Sequence, residues 1–548
     1  MRKLKYIHII IFIFILKIGL SQDNISFEID KYYYLCKTWG FLKYYIPDKN
    51  INWDKELLQA LDLVEKINDK HTFNKFSNSW IDKYTIRKSK INNDFPNDSL
   101  LITNFSWFQD TNLLNKSFSG KLKNVLINYK PKRNKLINKG KFKAIDFSKD
   151  NLYYYINTNK KLRILALFRL WNIIEYFYPY KDNIDTSWDN ILKQYIPQII
   201  DSDSEADYHL IIASMIAKLN DSHAFLNSHI FEKLYNLKSY LPFSVRYINN
   251  NIIVNEKYCQ CTNINVGDTI IKANYQTFKS FYNSNSKYFS ASNTNFKYYL
   301  LSNLYVSNRD GDKQSFIIKN NGIEKKITID KISPDSLMKC AELYKNIVIN
   351  DSINFLDVYF MTRKNLKKAL TKNSPKYVVI DLRSYPRNTI YFSHNYIFKY
   401  SNKKFDKRYL YNESVASNKY PGYFKLNKKG KNNNSKIKKS KFSGIILGII
   451  SEEARSLPEC IALALKDYDN TVLIGTNTAG STGGVAHIYL PGGITIPVTF
   501  LKSLFKNTDY QGEGVSPDII FKENINMPED ILKIVKLYND NKHVNKNN

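Results

Sequence analysis

Gly444-Ile445-Ile446-Leu447-Gly448-Ile449-Ile450 is followed by the loop Ser451 to Arg455 and then by Ser456-Leu457-Pro458-Glu459. This stretch decides the fold. A short, wholly apolar run bounded by glycine is the pattern of a strand buried on both faces, and such strands belong to parallel sheets. Ser456-x-x-Glu459 with Pro458 then opens a helix that runs through Leu465, because Ser-x-x-Glu is a capping box and proline suits a first helical turn. Strand, loop and helix in that order form half of a βαβ unit. Two further runs repeat the strand signal, Tyr377-Val378-Val379-Ile380-Asp381 and Thr471-Val472-Leu473-Ile474-Gly475. The last 200 or so residues therefore read as alternating strands and helices, an α/β core. Residues 402–441 are rich in Lys and Asn and read as a loop or insertion, and residues 530–542 as a helix.

Upstream of this core the pattern changes. From 240 to 330 it is short strands and turns: Leu241 to Val245, Asn251 to Val254, a tight turn at Gly267-Asp268, and a hairpin from Gln314 to Asp330 turning at Asn320-Asn321-Gly322. Residues 207–219 form a strongly apolar helix that Asn220-Asp221-Ser222-His223 breaks. The first 230 residues carry a weak repeat. Trp39-x4-Tyr44-x2-Pro47 precedes Trp53-Asp54, and Trp171-x4-Tyr176-x2-Pro179 precedes Trp188-Asp189. Each copy predicts an amphipathic helix ended by proline and a second helix after Trp-Asp. Between the copies, the alternation around Lys121-Leu122-Lys123-Asn124-Val125-Leu126-Ile127 suits strands.

Composition bounds the function. The chain has 548 residues, of which 43% are apolar, enough for several domains. Its net charge of +31 comes from lysines spread along the chain without a nucleic-acid motif, so it reads as compositional rather than as a nucleic-acid interface. Peripheral contact with a membrane or cell surface stays open. Arg2, Lys3 and Lys5 before the apolar run Tyr6 to Leu16 predict a signal peptide over residues 1–22 and hence export, periplasmic, surface-bound or released. Five cysteines, with only Cys259-Gln260-Cys261 closely spaced, indicate neither a disulfide framework nor a metal site.

Ser456 has two readings that do not exclude each other. It is the cap of its helix. It also lies outside the carboxyl end of a strand, where open α/β sheets gather their sites, at a helix N-terminus whose free N–H groups suit a developing oxyanion. A nucleophilic serine needs a base. His223, just after a sharp helix end, is the histidine that can project into a cleft; it can equally be a surface or capping residue. No Gly-x-Ser-x-Gly elbow, His-Glu-x-x-His or phosphate-binding glycine loop is present.

An ordered series of motifs adds to this: Asn220-Asp221-Ser222-His223-Ala224, Leu241-Pro242-Phe243 with Gly267-Asp268, Asp381-Leu382-Arg383, Ser456-x-x-Glu459, Gly475-Thr476-x-Thr478-Ala479-Gly480 and Gly514-Val515-Ser516-Pro517-Asp518. The series resembles the S41 peptidases, the family of C-terminal processing peptidases and the tricorn core, over roughly residues 160 to 525. The resemblance implies a multidomain α+β protein: an N-terminal helical and β region at 23–160, a helical domain at 161–235 carrying Ser222-His223, a PDZ-like module at 236–332, an α/β core of the ClpP/crotonase type at 333–530, and a C-terminal helix and tail at 531–548. It implies a serine endopeptidase with a polypeptide substrate and no cofactor. Processing peptidases use a Ser–Lys dyad, but Ala479-Gly480-Ser481-Thr482 has Ser481 where that lysine would be. The tricorn style, with a histidine, fits better. It implies Ser456 as nucleophile, His223 as base, Ser222 and Glu513 as orienting groups, backbone N–H groups of Leu457 and Tyr385 as oxyanion donors, and Gly267 and Asp268 in substrate binding by the PDZ-like module. A departure lies after Asp-Leu-Arg, where Ser384-Tyr385-Pro386-Arg387-Asn388 replaces the family's glycine-rich turn. Alternatively, the chain is an inactive relative that binds peptides.

Overall fold

The computed structural model describes residues 26–46, 50–84, 99–101, 103–129, 137–139, 145–237, 240–258, 263–307, 311–333, 335–336, 348–387, 412–416, 420–427, 442–466, 468, 470–525 and 530–544. The expected signal peptide and the Cys259–Cys261 pair lie outside them. The chain forms two compact units, residues 1–215 with 414–426 and 486–496, and residues 216–413 with 427–485 and 497–548. Among the described residues no helix is long and apolar enough to cross a membrane.

In the first unit the Trp-Asp repeat becomes two matching helix pairs, residues 26–45 with Trp53–Val64 and Lys160–Phe177 with Trp188–Ile200. The Trp39 indole donates to the carbonyl of Trp53 at 2.7 Å, and Trp171 donates to that of Trp188 at 2.9 Å. The same tryptophan thus staples the same two helices in each copy. Equivalent residues of the copies meet: a Cβ on Gly40 would fall 1.7 Å from Oδ1 of Asn172, so any side chain there would have to displace the buried Asn172 amide. Asp54, 2% exposed, pairs with both Lys43 and Arg169, while Lys37 crosses to Asp189 at 2.6 Å. The alternation at 121–127 proves helical, within Lys116–Ile127. Asn115 caps the Phe118 N–H, and the buried residues Phe118, Leu122 and Val125 are four and three apart, a helix face rather than a strand face. Within 402–441, expected as loop, segments 412–416 and 423–427 are strands, and the second pairs antiparallel with Ser99–Leu101.

The second unit holds two sheets. Strands Phe243–Ile248, Asn251–Lys257, Thr269–Ala273, Lys313–Asn320 and Ile323–Asp330 pair antiparallel in sequence order. The hairpin turns at Asn321 and Gly322, with φ of +47° and +85°, the positive values a two-residue turn needs. The other sheet runs Ile519–Ile520, Thr471–Gly475, Ile445–Ile450, Tyr377–Asp381, Ile353–Asp357, all parallel, with Val348–Asn350 antiparallel at one edge. Its parallel strands lie in sequence order. Right-handed crossovers then put their helices on one face, and Arg363–Thr371 and Leu457–Lys466 share one apolar cluster through Leu366, Leu370, Ile461 and Leu465. Helix Ile531–Val544 covers the other face through Ile531 and Ile534. The strand ends carrying Asp381 and Ile450 are neighbours, so the loops leaving them, with Tyr385 and Ser456, leave the same edge.

Candidate active site

Ser456 sits at the turn between strand Ile445–Ile450 and helix Leu457–Lys466 with φ of +64°. An N-cap residue has extended backbone; left-handed geometry costs a non-glycine residue about 1–2 kcal/mol, so the surroundings must hold it. Glu459 does this. Its buried carboxylate accepts the N–H of Ser456 at 2.9 Å, of Gly480 at 2.7 Å and of Ser481 at 2.9 Å, and the hydroxyl of Thr478. Half of the predicted capping box is therefore present, and the same carboxylate fastens the 478–481 loop to the serine. Burial pushes the Glu459 carboxyl up, against the pull of these hydrogen bonds. Partial burial pushes the Tyr385 phenol up, against a lowering influence of Ser456.

Asn220, with φ of +49°, turns the chain after the apolar helix. Asp221 then accepts the N–H of His223 at 2.9 Å, a local Asx turn that fixes where the ring emerges. Nδ1 of His223 lies 2.9 Å from Oγ1 of Thr499 and 2.6 Å from Oγ of Ser481. The Thr499 hydroxyl donates to Oδ1 of Asp221 at 2.9 Å, and its N–H to Oδ2 at 2.8 Å. A hydroxyl has one proton. Thr499 gives it to Asp221, so it accepts from Nδ1–H. That assigns the proton to Nδ1 and leaves the lone pair on Nε2, which is buried and without a hydrogen-bond partner. Burial lowers the imidazole pKa to about 4, with Asp221 pulling it up and Arg455 pushing it down. The ring is a neutral imidazole with its basic nitrogen unengaged.

The other expected site residues fall as follows. The Ser222 hydroxyl donates to the carbonyl of Ala479 at 3.1 Å and accepts the N–H of Ser292 at 2.8 Å, so it engages backbone and not the imidazole. Glu513 is exposed, on the wall of an open depression of about 420 Å³ with Asn293, Asn477, Gly512 and Ser516. Gln511, two residues earlier, is buried and reaches Asp221 Oδ1 and Ser292 Oγ, both at 3.3 Å. Leu457 is the first helical residue, where the N–H has no carbonyl of its own helix to meet. Gly267, with φ of +88°, donates its N–H to Val254, and buried Asp268 accepts the Asn265 N–H at 2.9 Å and the Asn320 amide. Beside them lies a depression of about 370 Å³ with Lys319 and Asn321 on its wall. Asp381 and Arg383 form a bidentate pair at 2.9 and 2.8 Å.

Asp221, Ser481, Thr499 and Gln511 escaped assignment from sequence. Asp221 and Ser481 stood in motifs already singled out, and an aspartate two residues before a candidate base was a usable signal. Thr499 had none. Among the described residues, no group of three or more His, Cys, Asp or Glu is placed to hold a metal ion.

Residues 352–521 match the model of peptidase family S41. No curated protein sequence matches the chain. Among solved structures, the chain is similar to mature CPAF at 11% identity, covering 66% of this chain and 92% of that one with a TM-score of 0.47. It is similar to the photosystem II D1 C-terminal processing protease at 13% identity, with 69% and 97% covered and a TM-score of 0.40. Similarity to the tricorn protease is 15% identity, with 70% and 37% covered and a TM-score of 0.35.

Proposed function

We propose that this chain, whose residues 352–521 belong to peptidase family S41, is an exported serine endopeptidase that cleaves polypeptides through a Ser456 acyl-enzyme with His223 as general base. The observation that carries the reading is the His223 environment. A buried, neutral imidazole has its Nδ1 fixed by Thr499 and Ser481 and its Nε2 unengaged. That is the protonation state a base needs before attack.

The chemistry follows from the residues. Ser456 Oγ attacks the scissile carbonyl as its proton passes to Nε2 of His223. The C=O electron pair moves onto oxygen, and the Leu457 N–H at the helix start donates a hydrogen bond to that oxyanion. The intermediate collapses, the C–N bond breaks, and Nε2 returns the proton to the leaving amine. Water then releases the acyl group by the same route. The positive charge that forms on His223 is offset by Asp221, which acts through the Thr499 and Ser481 hydroxyls rather than by direct contact; its nearest oxygen is 3.8 Å from Nδ1. Glu459 holds Ser456 and the 478–481 loop in register.

The antiparallel module at 243–330 is read as PDZ-like, presenting an extended substrate by strand addition near Gly267-Asp268. The basic and apolar start of the chain supports export. Digestion of fluorescein-labelled casein tests the activity: wild type should release internal peptides, and Ser456→Ala and His223→Ala should not. A second reading, an inactive peptide-binding relative, draws on the altered 384–388 loop; intact casein retained by wild type would favour it.

A further inference from the structure

We infer that Arg455 is a positioning residue of this site: its guanidinium ties the loop that leads into Ser456 to the peptide unit from which the His223 ring emerges. The inference rests on the serine-peptidase reading above and concerns what holds nucleophile and base in one geometry. The two come from distant segments, Arg455 and Ser222 being 233 positions apart. The loop before Ser456 is fastened at several points. The Ser451 carbonyl accepts the Ala454 N–H at 3.0 Å. The Glu452 carboxylate accepts Nε and Nη2 of Arg246 at 2.8 and 3.0 Å and the Thr476 hydroxyl at 2.7 Å. The Ala454 carbonyl accepts the Ala479 N–H at 2.9 Å. These bonds fix the loop against strand Phe243–Ile248 and the segment after strand Thr471–Gly475, but their partners are not residues 221–223.

Arg455 makes that direct connection. Its Nη1 donates to the Ser222 carbonyl at 3.0 Å. That oxygen belongs to the peptide unit joining Ser222 to His223, and the N–H of the same unit donates to Asp221 Oδ1 at 2.9 Å. A peptide unit is planar, so holding its oxygen and its N–H fixes the plane from which the His223 side chain leaves. The guanidinium is itself held over the ring of Phe296, 5.6 Å from the centroid. Phe296 is buried, and its N–H donates to Asn293 Oδ1 at 2.9 Å while the Asn293 amide donates to the Thr478 carbonyl at 2.9 Å. A planar guanidinium can stack on an aromatic ring and aim an N–H at a carbonyl at once, whereas an ammonium is a point charge on a flexible stem. The charge acts too. Burial lowers the imidazole pKa, Asp221 pulls it up and Arg455 pushes it down; Thr499 and Ser481, which meet Nδ1 from other elements, are neutral. Arg455 therefore favours the neutral ring that accepts the Ser456 proton.

The test compares Arg455→Met, which removes the charge and the donors, with Arg455→Lys, which keeps the charge. Arg455→Met should lose roughly 10–10²-fold in fluorophosphonate labelling and in casein kcat, the scale of a small misplacement of reacting groups, with KM changed less than about threefold. The acid limb of its labelling rate should move to higher pH, since a positive charge opposing protonation is gone. Arg455→Lys should keep the wild-type limb and still slow by about fivefold or more, the worth of one modest hydrogen bond. Unchanged thermal midpoints show that the variants are folded, and Arg455→Lys decides the question where Arg455→Met does not fold. A folded Arg455→Met within about threefold of wild type, a slowed Arg455→Met whose acid limb stays at the wild-type pH, or Arg455→Lys at the wild-type rate overturns the proposal while leaving the peptidase reading intact. Failure of wild type itself to label or to cleave overturns the peptidase reading, and this proposal with it.

Discussion

Replacing Asp221 by Asn removes one charge and one acceptor from a side chain with no solvent exposure. The carboxylate accepts the N–H of His223 at 2.9 Å, the N–H of Thr499 at 2.8 Å and the Thr499 hydroxyl at 2.9 Å. An amide keeps a single acceptor atom. If its NH2 takes the Oδ2 position, it faces the Thr499 N–H, donor against donor. If it takes the Oδ1 position, it faces the His223 N–H and forces the Thr499 hydroxyl to accept. Either way at least one hydrogen bond to a charged group is lost, worth about 1.5–3 kcal/mol, and a buried N–H is left unpaired at a similar cost. A buried charge no longer has to be desolvated, which offsets part of this. The expected destabilisation is about 2 kcal/mol. The effect on catalysis is larger. A Thr499 hydroxyl that accepts from the amide turns its proton to Nδ1, which moves the imidazole proton to Nε2 and removes the base. A wrong tautomer in a serine triad costs about 10⁴-fold; here the coupling runs through a hydroxyl, and about 10³-fold is expected. Urea unfolding and the rate of fluorophosphonate labelling measure the two quantities. An Asn variant within threefold of wild type in rate and within 0.5 kcal/mol or so in stability would refute the relay.

Other substitutions separate neighbouring groups. Gln511→Ala, which removes a contact to Asp221, should slow labelling about fivefold, since a modest hydrogen bond is worth about 1 kcal/mol, whereas Glu513→Gln on the exposed wall should leave it near wild type; the reverse result would give Glu513 the orienting role. With the His223 pKa lowered to about 4 by burial, labelling should hold as pH falls past the ordinary histidine range and drop only near pH 4, where Nε2 takes a proton; a limb near pH 6.5 would contradict it. Folding stability responds to the same group. Between those two values the unfolded chain binds a proton that the folded one does not, so this group lowers stability as pH falls through the window. In the first unit, Asp54→Ala leaves Arg169 and Lys43, both nearly fully buried, short of their shared partner. A loss of about 3–5 kcal/mol in urea unfolding is expected, and a loss under 1 kcal/mol or so would show that Asp150 alone satisfies both cations.

The core strands were legible because burial on both faces leaves an unbroken apolar run, as at Ile445 to Ile450. The Ser456 turn was legible as a strand-to-helix boundary but not as a left-handed residue, because a positive φ at serine is imposed by tertiary contacts, here Glu459 and the 478–481 loop. The helix Lys116–Ile127 was misread because three residues of alternation outweighed the longer Phe118, Leu122, Val125 spacing. Thr499 lay beyond sequence reasoning altogether. It is one of several polar residues in the long strand Ile494–Phe505, and only folding brings it to Asp221 and His223, 278 and 276 positions away. Ser481 was visible as a substitution at a family position; its bond to Nδ1 was not, since nothing local says which way its hydroxyl turns.

The most direct measurement is the mass and position of a fluorophosphonate adduct on the intact protein. A single adduct mapped to the peptide carrying Ser456, absent in Ser456→Ala and slowed by about 10³-fold or more in His223→Ala, is the predicted result. An adduct that persists in Ser456→Ala, or labelling at the wild-type rate in His223→Ala, would contradict it.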